Sequence, residues 1–99
     1  MNRTAVAVDE TITRQMTICN KRGLHARASA KFVQIASSFD ASISVSRDGL
    51  EVDGKSILDL MMLAAADGAT INVSTSGRQA DEAMAAIEEL VADRFGEEV

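Results

Sequence analysis

The stretch SISVSRDGLEVD, residues 42–53, sets the centre of the fold. Apolar residues alternate with serines in its first half and with acidic residues in its second half. Such alternation places one face of a strand against a core and the other face in water. Asp48-Gly49 stands between the two halves and is a strong signal for a two-residue hairpin turn, because both central residues of that turn need positive φ. The stretch therefore predicts an antiparallel β-hairpin.

A helix is predicted on each side of this hairpin. Before it, apolar residues recur at helical spacing and form one stripe, made of Ala28, Phe32, Ile35, Ala36 and Phe39. After it, Ser56 opens a short apolar segment, Ile57 to Ala66, whose expected core stripe is Ile57, Leu60, Met61 and Ala64. Ser56 is predicted to cap this segment, with Asp59 three residues later in an acidic version of the capping box.

Two more alternating segments lie outside these helices and predict strands, one starting at Ile12 and one at Ala69. The last part of the chain predicts a helix, with Ser76 and Gln79 at capping-box spacing and a core stripe made of Ala80, Ala83, Met84, Ile87, Leu90 and Val91.

The predicted order is β-α-β-β-α-β-α. Alternating strands give a sheet with one wet face and one covered face, which indicates a two-layer sandwich of the α+β class. Residues 1–10 show no periodicity, and we expect a flexible tail there. Residues 11–99 are expected to form one domain.

Composition excludes several functional classes. The 99 residues include 15 Asp+Glu against 10 Lys+Arg, a net charge of −5, and the aromatics are three Phe; both facts argue against nucleic acid as a partner. The longest apolar run, residues 60–66, is far too short to span a membrane, and the start of the chain lacks a signal-peptide core. Cys19, the one cysteine, forms neither an internal disulfide nor a zinc site by itself. We expect a cytoplasmic protein without a metal.

The stretch NKRGLHARASA, residues 20–30, carries the candidate chemistry. His25 follows a turn that contains glycine and precedes an amphipathic helix, whose first N–H groups attract anions. Arg27 stands two residues later, and its planar guanidinium suits phosphate oxygens. A neutral imidazole at such a place is suited to accept a phosphoryl group covalently.

Simpler interpretations of His25 stay open from spacing alone, because a single histidine at a helix start is most often a cap or a solvated residue. A metal site is disfavoured because no second histidine exists in the chain. A Ser-His-Asp hydrolase is disfavoured because no Gly-x-Ser-x-Gly turn occurs.

Two motifs resemble one known family. Gly23-Leu24-His25-Ala26-Arg27 resembles the phosphorylation-site signature of HPr, the histidine-containing phosphocarrier of the bacterial phosphotransferase system. Lys55-Ser56-Ile57-Leu58 through Met61 resembles the second, regulatory signature of that family. The resemblance extends over roughly residues 12–95, in the expected order of elements.

The resemblance implies an open-faced sandwich with an antiparallel four-stranded sheet in the order 1-4-2-3 and three helices on one face. It implies a protein that accepts a phosphoryl group from enzyme I on Nδ1 of His25 and passes it to enzyme IIA domains. Arg27 would contact the phosphoryl group, together with the backbone N–H groups of Ala26 and Arg27. Such a protein is a transfer intermediate more than a conventional enzyme. It needs no bound cofactor, and we expect a monomer.

The resemblance also implies a role for the second helix and has one departure. Ser56 would be phosphorylated where the cell contains HPr kinase/phosphorylase. Leu58 and Met62 lie off the predicted stripe, so with Met61 they form a candidate docking patch, although they could instead widen the buried stripe. The family usually has proline where this chain has Ala28, so Ala28→Pro should be tolerated.

The sequence leaves three other functions open: the HPr-like member of the nitrogen-regulatory phosphotransferase branch, an adaptor that is never phosphorylated, and a domain that binds an anion without covalent chemistry.

Overall fold

The computed structural model describes residues 10–99, so the predicted tail lies outside the described residues except for Glu10. The elements follow the predicted order: β1 (Thr11–Thr17), α1 (Ala26–Ala36), β2 (Ser42–Arg47), β3 (Leu50–Asp53), α2 (Ile57–Met62), β4 (Thr70–Ser76), α3 (Ala80–Ala92) and a short 3-10 turn (Arg94–Gly96).

The four strands form one antiparallel sheet in the order β1-β4-β2-β3, as the resemblance implied. Val45 on β2 pairs with Val73 on β4 and with Val52 on β3, and all three side chains point into the core. The predicted hairpin is confirmed, since Asp48 and Gly49 have φ values of 52° and 87°. Both signs are those that a tight hairpin turn requires.

The core lies between the sheet and the helices. The predicted stripe of α1 is confirmed, because Ala28, Phe32 and Ala36 are fully buried while Ile35 and Phe39 pack against the core from its edge. The stripe of α3 is confirmed as well, with Ile87 and Met84 at its centre. Helices α1 and α3 contact each other, and α3 also contacts β1 and β4, so one face of the sheet is covered. Hydroxyl groups line the other face, where those of Thr13 and Ser74 lie 2.9 Å apart.

The second helix differs from its prediction. It ends at Met62 instead of reaching Ala66, because Ala64 adopts a φ of 51° and turns the chain. The expected core stripe is wrong except for Leu60: Ile57 and Met61 are exposed by about two fifths, and Leu63 and Ala65, beyond the helix, are buried instead.

The predicted caps have mixed outcomes. Ser56 caps α2, since its hydroxyl accepts the N–H of Asp59 at 3.2 Å. The reciprocal bond is missing, because the Asp59 carboxylate accepts the N–H of Asp53 at 3.4 Å. The capping box predicted from Ser76 to Gln79 is wrong. Ser76 is held in β4 by its strand partners, and the Gln79 side chain accepts the N–H of Asp40 instead.

None of the helices within residues 10–99 has the length and apolar character needed to cross a membrane.

Candidate functional site

The turn before α1 is held tightly against the loop that follows α2. Gly23 has a φ of +69°, and a Cβ placed there would lie 2.4 Å from the carbonyl oxygen of Ala65. The N–H of Leu24 donates to that same oxygen at 2.9 Å. Asn20 closes the turn, since its carbonyl accepts the N–H of Gly23 and its side-chain amide donates to the Gly23 carbonyl. Only glycine fits this close approach, so the turn gives His25 a fixed starting point.

His25 is the N-cap residue of α1. Its backbone is extended, and its carbonyl accepts the first helical hydrogen bond, from the N–H of Ser29 at 2.8 Å. Its Nδ1 accepts the N–H of Arg27 at 3.3 Å. The interpretation of His25 as a capping residue is therefore correct as local structure. The cap also places Nδ1 beside the electropositive end of the helix.

The other ring nitrogen of His25 meets a carboxylate from the far end of the chain. Nε2 lies 2.5 Å from Oε2 of Glu97. Because Nδ1 accepts a hydrogen bond, the proton of the neutral ring belongs on Nε2, where it is donated to Glu97. The His25 side chain exposes 22% of its surface, so the ring stays accessible.

Glu97 is held on both of its oxygens. Its Oε1 accepts the side-chain amide of Asn20 at 3.0 Å, while Oε2 faces His25. These hydrogen bonds, first that of Asn20 and then that of His25, hold the pKa of Glu97 below its ordinary value, and the positive charge of Arg22 adds to the effect. The carboxylate is therefore ionised at neutral pH.

Four cations surround this site and line a groove beside the end of the chain; they are Lys21, Arg22, Arg27 and Lys31. Lys31 donates to the carbonyl of Phe95 at 2.7 Å. The guanidinium of Arg27 is exposed and makes no hydrogen bond or ion pair with other residues of the described part of the chain. It is therefore available to an incoming anion.

The structure brings some predicted site residues together and places the others on α2. His25, Ala26 and Arg27 are adjacent at the start of α1. Ser56 caps α2, whose residues Leu58, Met61 and Met62 are exposed by 74%, 40% and 65%. Helix α2 packs against α1, and the loop after it, residues 64–66, lines the same hollow as His25.

Two residues of the site were missed from the sequence. Glu97 contacts Nε2 of His25 and Asn20 donates to Glu97, yet Glu97 is 72 positions away from His25 along the chain. No spacing or periodicity connects Glu97 to His25, so the sequence does not predict their contact and only the tertiary structure shows it.

No group of three or more His, Cys, Asp or Glu side chains in residues 10–99 is arranged to hold a metal ion.

Comparisons with known proteins show which family the chain resembles. The family described as the PTS HPr component phosphorylation site matches residues 12–93. The phosphocarrier protein HPr of Cupriavidus necator is 51% identical over 86 residues, which cover 87% of this chain and 97% of that protein. The phosphocarrier protein NPr of Shewanella violacea is 44% identical over 87% of this chain and 94% of its own length.

A solved structure is similar across nearly its whole length. The crystal structure titled HPr-C-His from Thermoanaerobacter tengcongensis superposes with a TM-score of 0.85 at 40% identity, covering 89% of this chain and 99% of that one. Sequence, fold and site geometry thus converge, and the chain belongs to the HPr family of phosphocarrier proteins of the phosphotransferase system.

Proposed function

We propose that His25 carries the phosphoryl group of this phosphocarrier on Nδ1. The observation that supports this choice of atom is the pair of ring contacts. Nε2 is taken up by Glu97 at 2.5 Å, whereas Nδ1 keeps a lone pair and faces only one long contact, the N–H of Arg27 at 3.3 Å. A lone pair next to a helix N-terminus is a suitable nucleophile for an anionic phosphoryl donor.

The groups around Nδ1 would stabilise the transferred phosphoryl group. The N–H of Arg27, now on Nδ1, and that of Ala26 at the first position of α1 would donate to phosphoryl oxygens. The guanidinium of Arg27 is exposed and unpaired within residues 10–99, so it can turn toward those oxygens and make a charge-assisted contact. This division of roles supports Arg27 as the residue that assists transfer.

Enzyme I is the proposed donor and enzyme IIA domains are the proposed acceptors. The docking surface combines the basic groove beside His25 with the exposed apolar side chains of α2, namely Leu58, Met61 and Met62. An apolar patch combined with a basic groove fits partners that are acidic around an apolar contact, and methionine adapts to more than one partner. The protein works in this proposal as a monomer in the cytoplasm, with residues 11–99 as its domain and without a bound cofactor.

Two branches of the system can be told apart by the donor. The similarity to a protein named NPr supports the nitrogen-regulatory branch as the second candidate. The two kinds of enzyme I, compared side by side with this protein as acceptor, would identify the branch by the faster phosphoryl transfer.

Ser56 is the proposed regulatory site. Its hydroxyl caps α2 and is half-buried, and a phosphate there would lie at a helix start but also near the carboxylate of Asp59. HPr kinase/phosphorylase with ATP should phosphorylate the wild type and leave Ser56→Ala unmodified. Phosphate incorporation into both proteins would contradict the assignment.

The central experiment is incubation with enzyme I and phosphoenolpyruvate, followed by peptide mapping. We expect an acid-labile phosphate on the peptide that contains His25, and none in His25→Ala. The mapping is unambiguous because the chain has a single histidine. Phosphate on another peptide, or undiminished phosphorylation of His25→Ala, would overturn the proposal and favour the adaptor or the anion-binding domain.

A further inference from the structure

We propose that Glu97 is a positioning residue for phosphoryl transfer: its carboxylate holds the proton of His25 on Nε2, points Nδ1 at the phosphoryl donor and balances the positive charge that the ring acquires. This inference rests on the proposed role of His25. It concerns a residue beyond positions 12–93, the part of the chain that matches the family model.

The carboxylate of Glu97 is fixed by contacts on both of its oxygens. Oε2 of Glu97 lies 2.5 Å from Nε2 of His25, and Oε1 accepts the side-chain amide of Asn20 at 3.0 Å. Asn20 is fully buried and also donates to the carbonyl of Gly23 in the turn before His25. The carboxylate thus connects the imidazole to the turn that carries it, and the Glu97 side chain exposes only 15% of its surface.

The residues around Glu97 are held over the site by contacts with other parts of the fold. We call residues 94–99 the covering segment. Phe95 is fully buried, Lys31 on α1 donates to the Phe95 carbonyl at 2.7 Å, and the N–H of Lys21 donates to the carbonyl of Val99 at 3.1 Å. The segment is therefore fastened on both sides of Glu97.

The backbone of the covering segment is unfavourable by itself. Arg94, Phe95 and Gly96 have successive φ values of 55°, 55° and 77°. Residues with a Cβ rarely adopt this conformation, and it persists only where surrounding contacts impose it. The burial of Phe95 and the hydrogen bonds of Lys31 and Lys21 impose the conformation here. The resulting turn places Glu97 against His25.

The charge on the His25 ring changes during phosphoryl transfer. The Nδ1 lone pair forms a bond to the phosphorus of the donor, while the bond from phosphorus to the donor atom breaks and leaves its electron pair on that atom. Nε2 keeps its proton throughout, so the ring gains positive charge as the new bond forms. A carboxylate that accepts the Nε2 proton stabilises this imidazolium character, as the aspartate of a Ser-His-Asp triad does for its histidine. In onward transfer the same steps run in reverse, and the ring returns to its neutral state.

Glu97→Gln tests this role with little change of shape. Only a carboxylate can accept hydrogen bonds from Asn20 and from His25 at the same time. A glutamine amide has a single oxygen, so its NH₂ group must face either the amide of Asn20 or Nε2 of His25, and both arrangements oppose the present one. Glu98→Gln is the matched control for charge, because Glu98 is exposed and lines the same basic groove, whereas the contact with Nε2 of His25 comes from Glu97.

The experiment combines ¹⁵N spectroscopy of the imidazole with transfer kinetics, and the single histidine gives one unambiguous signal set. At a pH where the ring is neutral, we expect wild type and Glu98→Gln to show predominantly Nε2–H, and Glu97→Gln and Glu97→Ala to lose that preference. The kcat/KM of enzyme I for the protein should fall about tenfold in both Glu97 variants, at the lower end of what a charge-assisted hydrogen bond contributes. It should fall less in Glu98→Gln, which removes a charge beside the same groove but leaves the contact between Glu97 and Nε2 in place.

Two results would overturn the inference. If Glu97→Gln and Glu97→Ala keep the Nε2–H form and the wild-type rate while phosphate still maps to His25, Glu97 has no positioning role and the proposed function stands. If the rate falls equally in Glu97→Gln and Glu98→Gln, the effect is one of overall charge on docking. A wild-type protein that takes no phosphate on His25 would instead refute the proposed function.

Discussion

Gly23→Ala tests the claim that the turn before His25 depends on a close approach of two backbones. Gly23 has a φ of +69°, and the added Cβ would lie 2.4 Å from the carbonyl oxygen of Ala65 and 2.8 Å from the Cα of Ala66. Both contacts are with backbone atoms, so neither can be relieved by a side-chain rotation. The turn or the loop after α2 would have to move.

The expected loss of unfolding free energy in Gly23→Ala has two parts, and Gly68→Ala measures one of them separately. Gly68 has a φ of +90°, and a Cβ there would meet no atom outside its chain neighbours within 4 Å. Gly68→Ala should therefore lose only the conformational cost of a left-handed alanine, about 1–2 kcal/mol, less a gain of about 0.4–1 kcal/mol from the stiffer unfolded chain. Gly23→Ala carries that cost and, in addition, about 1–3 kcal/mol for forcing atoms into a filled site.

Urea denaturation of the three proteins gives the free energies of unfolding. We expect Gly23→Ala to be less stable than Gly68→Ala by about 1–3 kcal/mol. The same variant should accept phosphate more slowly, because the turn that carries His25 is displaced, while Gly68→Ala should not. A Gly23→Ala variant that is at least as stable as Gly68→Ala would refute the reasoning, because the contacts with the backbone of Ala65 and Ala66 are what distinguish the two positions.

Three further predictions follow from other parts of the molecule. Leu58 is 74% exposed, so Leu58→Glu should change the free energy of unfolding by less than about 0.5 kcal/mol. The same variant should bind enzyme I more weakly, as measured by calorimetry. A variant that unfolds would show that this side chain belongs to the core. The pKa of Glu97 is lowered in the folded protein, so its stabilisation is fully present above the ordinary glutamate pKa of about 4.3 and is lost as the pH falls through the folded value. The difference in unfolding free energy between wild type and Glu97→Gln should accordingly shrink in urea titrations below about pH 4, and a difference independent of pH would contradict the assignment. Ala28 is the third residue of α1 and precedes Ser29, the first helical hydrogen-bond donor, so Ala28→Pro removes no helical hydrogen bond. The variant should change the free energy of unfolding by less than about 1 kcal/mol in thermal melts and should retain phosphoryl transfer. A larger loss would mean that the buried space at Ala28 cannot take the proline ring.

The sequence alone determined the elements and the local part of the site. Alternation of apolar residues and the Asp48-Gly49 turn specify the hairpin, because strand periodicity and turn chemistry act over a few residues. The stripes of α1 and α3 are equally local. The same holds for His25, which caps the helix that its own sequence predicts. The order of the strands was implied by the resemblance to a family and not by periodicity.

Predictions were wrong where tertiary contacts outweighed local preference. Helix α2 was expected to reach Ala66, but the turn at Ala64 ends it early and buries Leu63 and Ala65 in place of the expected stripe. The Ser76 capping box was wrong because strand pairing on two sides holds Ser76 in the sheet. Short segments of this kind gain more from core contacts than from their own capping or periodicity.

The placement of Glu97 against Nε2 of His25 was decided by the tertiary structure alone. Burial of Phe95 brings residues 94–99 over the start of α1 and sustains two left-handed residues that the sequence gives no reason to expect. A contact between residues 72 positions apart arises only when the core that joins them has formed, because no local interaction links them. The sequence thus determined that His25 stands at the start of α1, and the packed core determined which carboxylate lies against its ring.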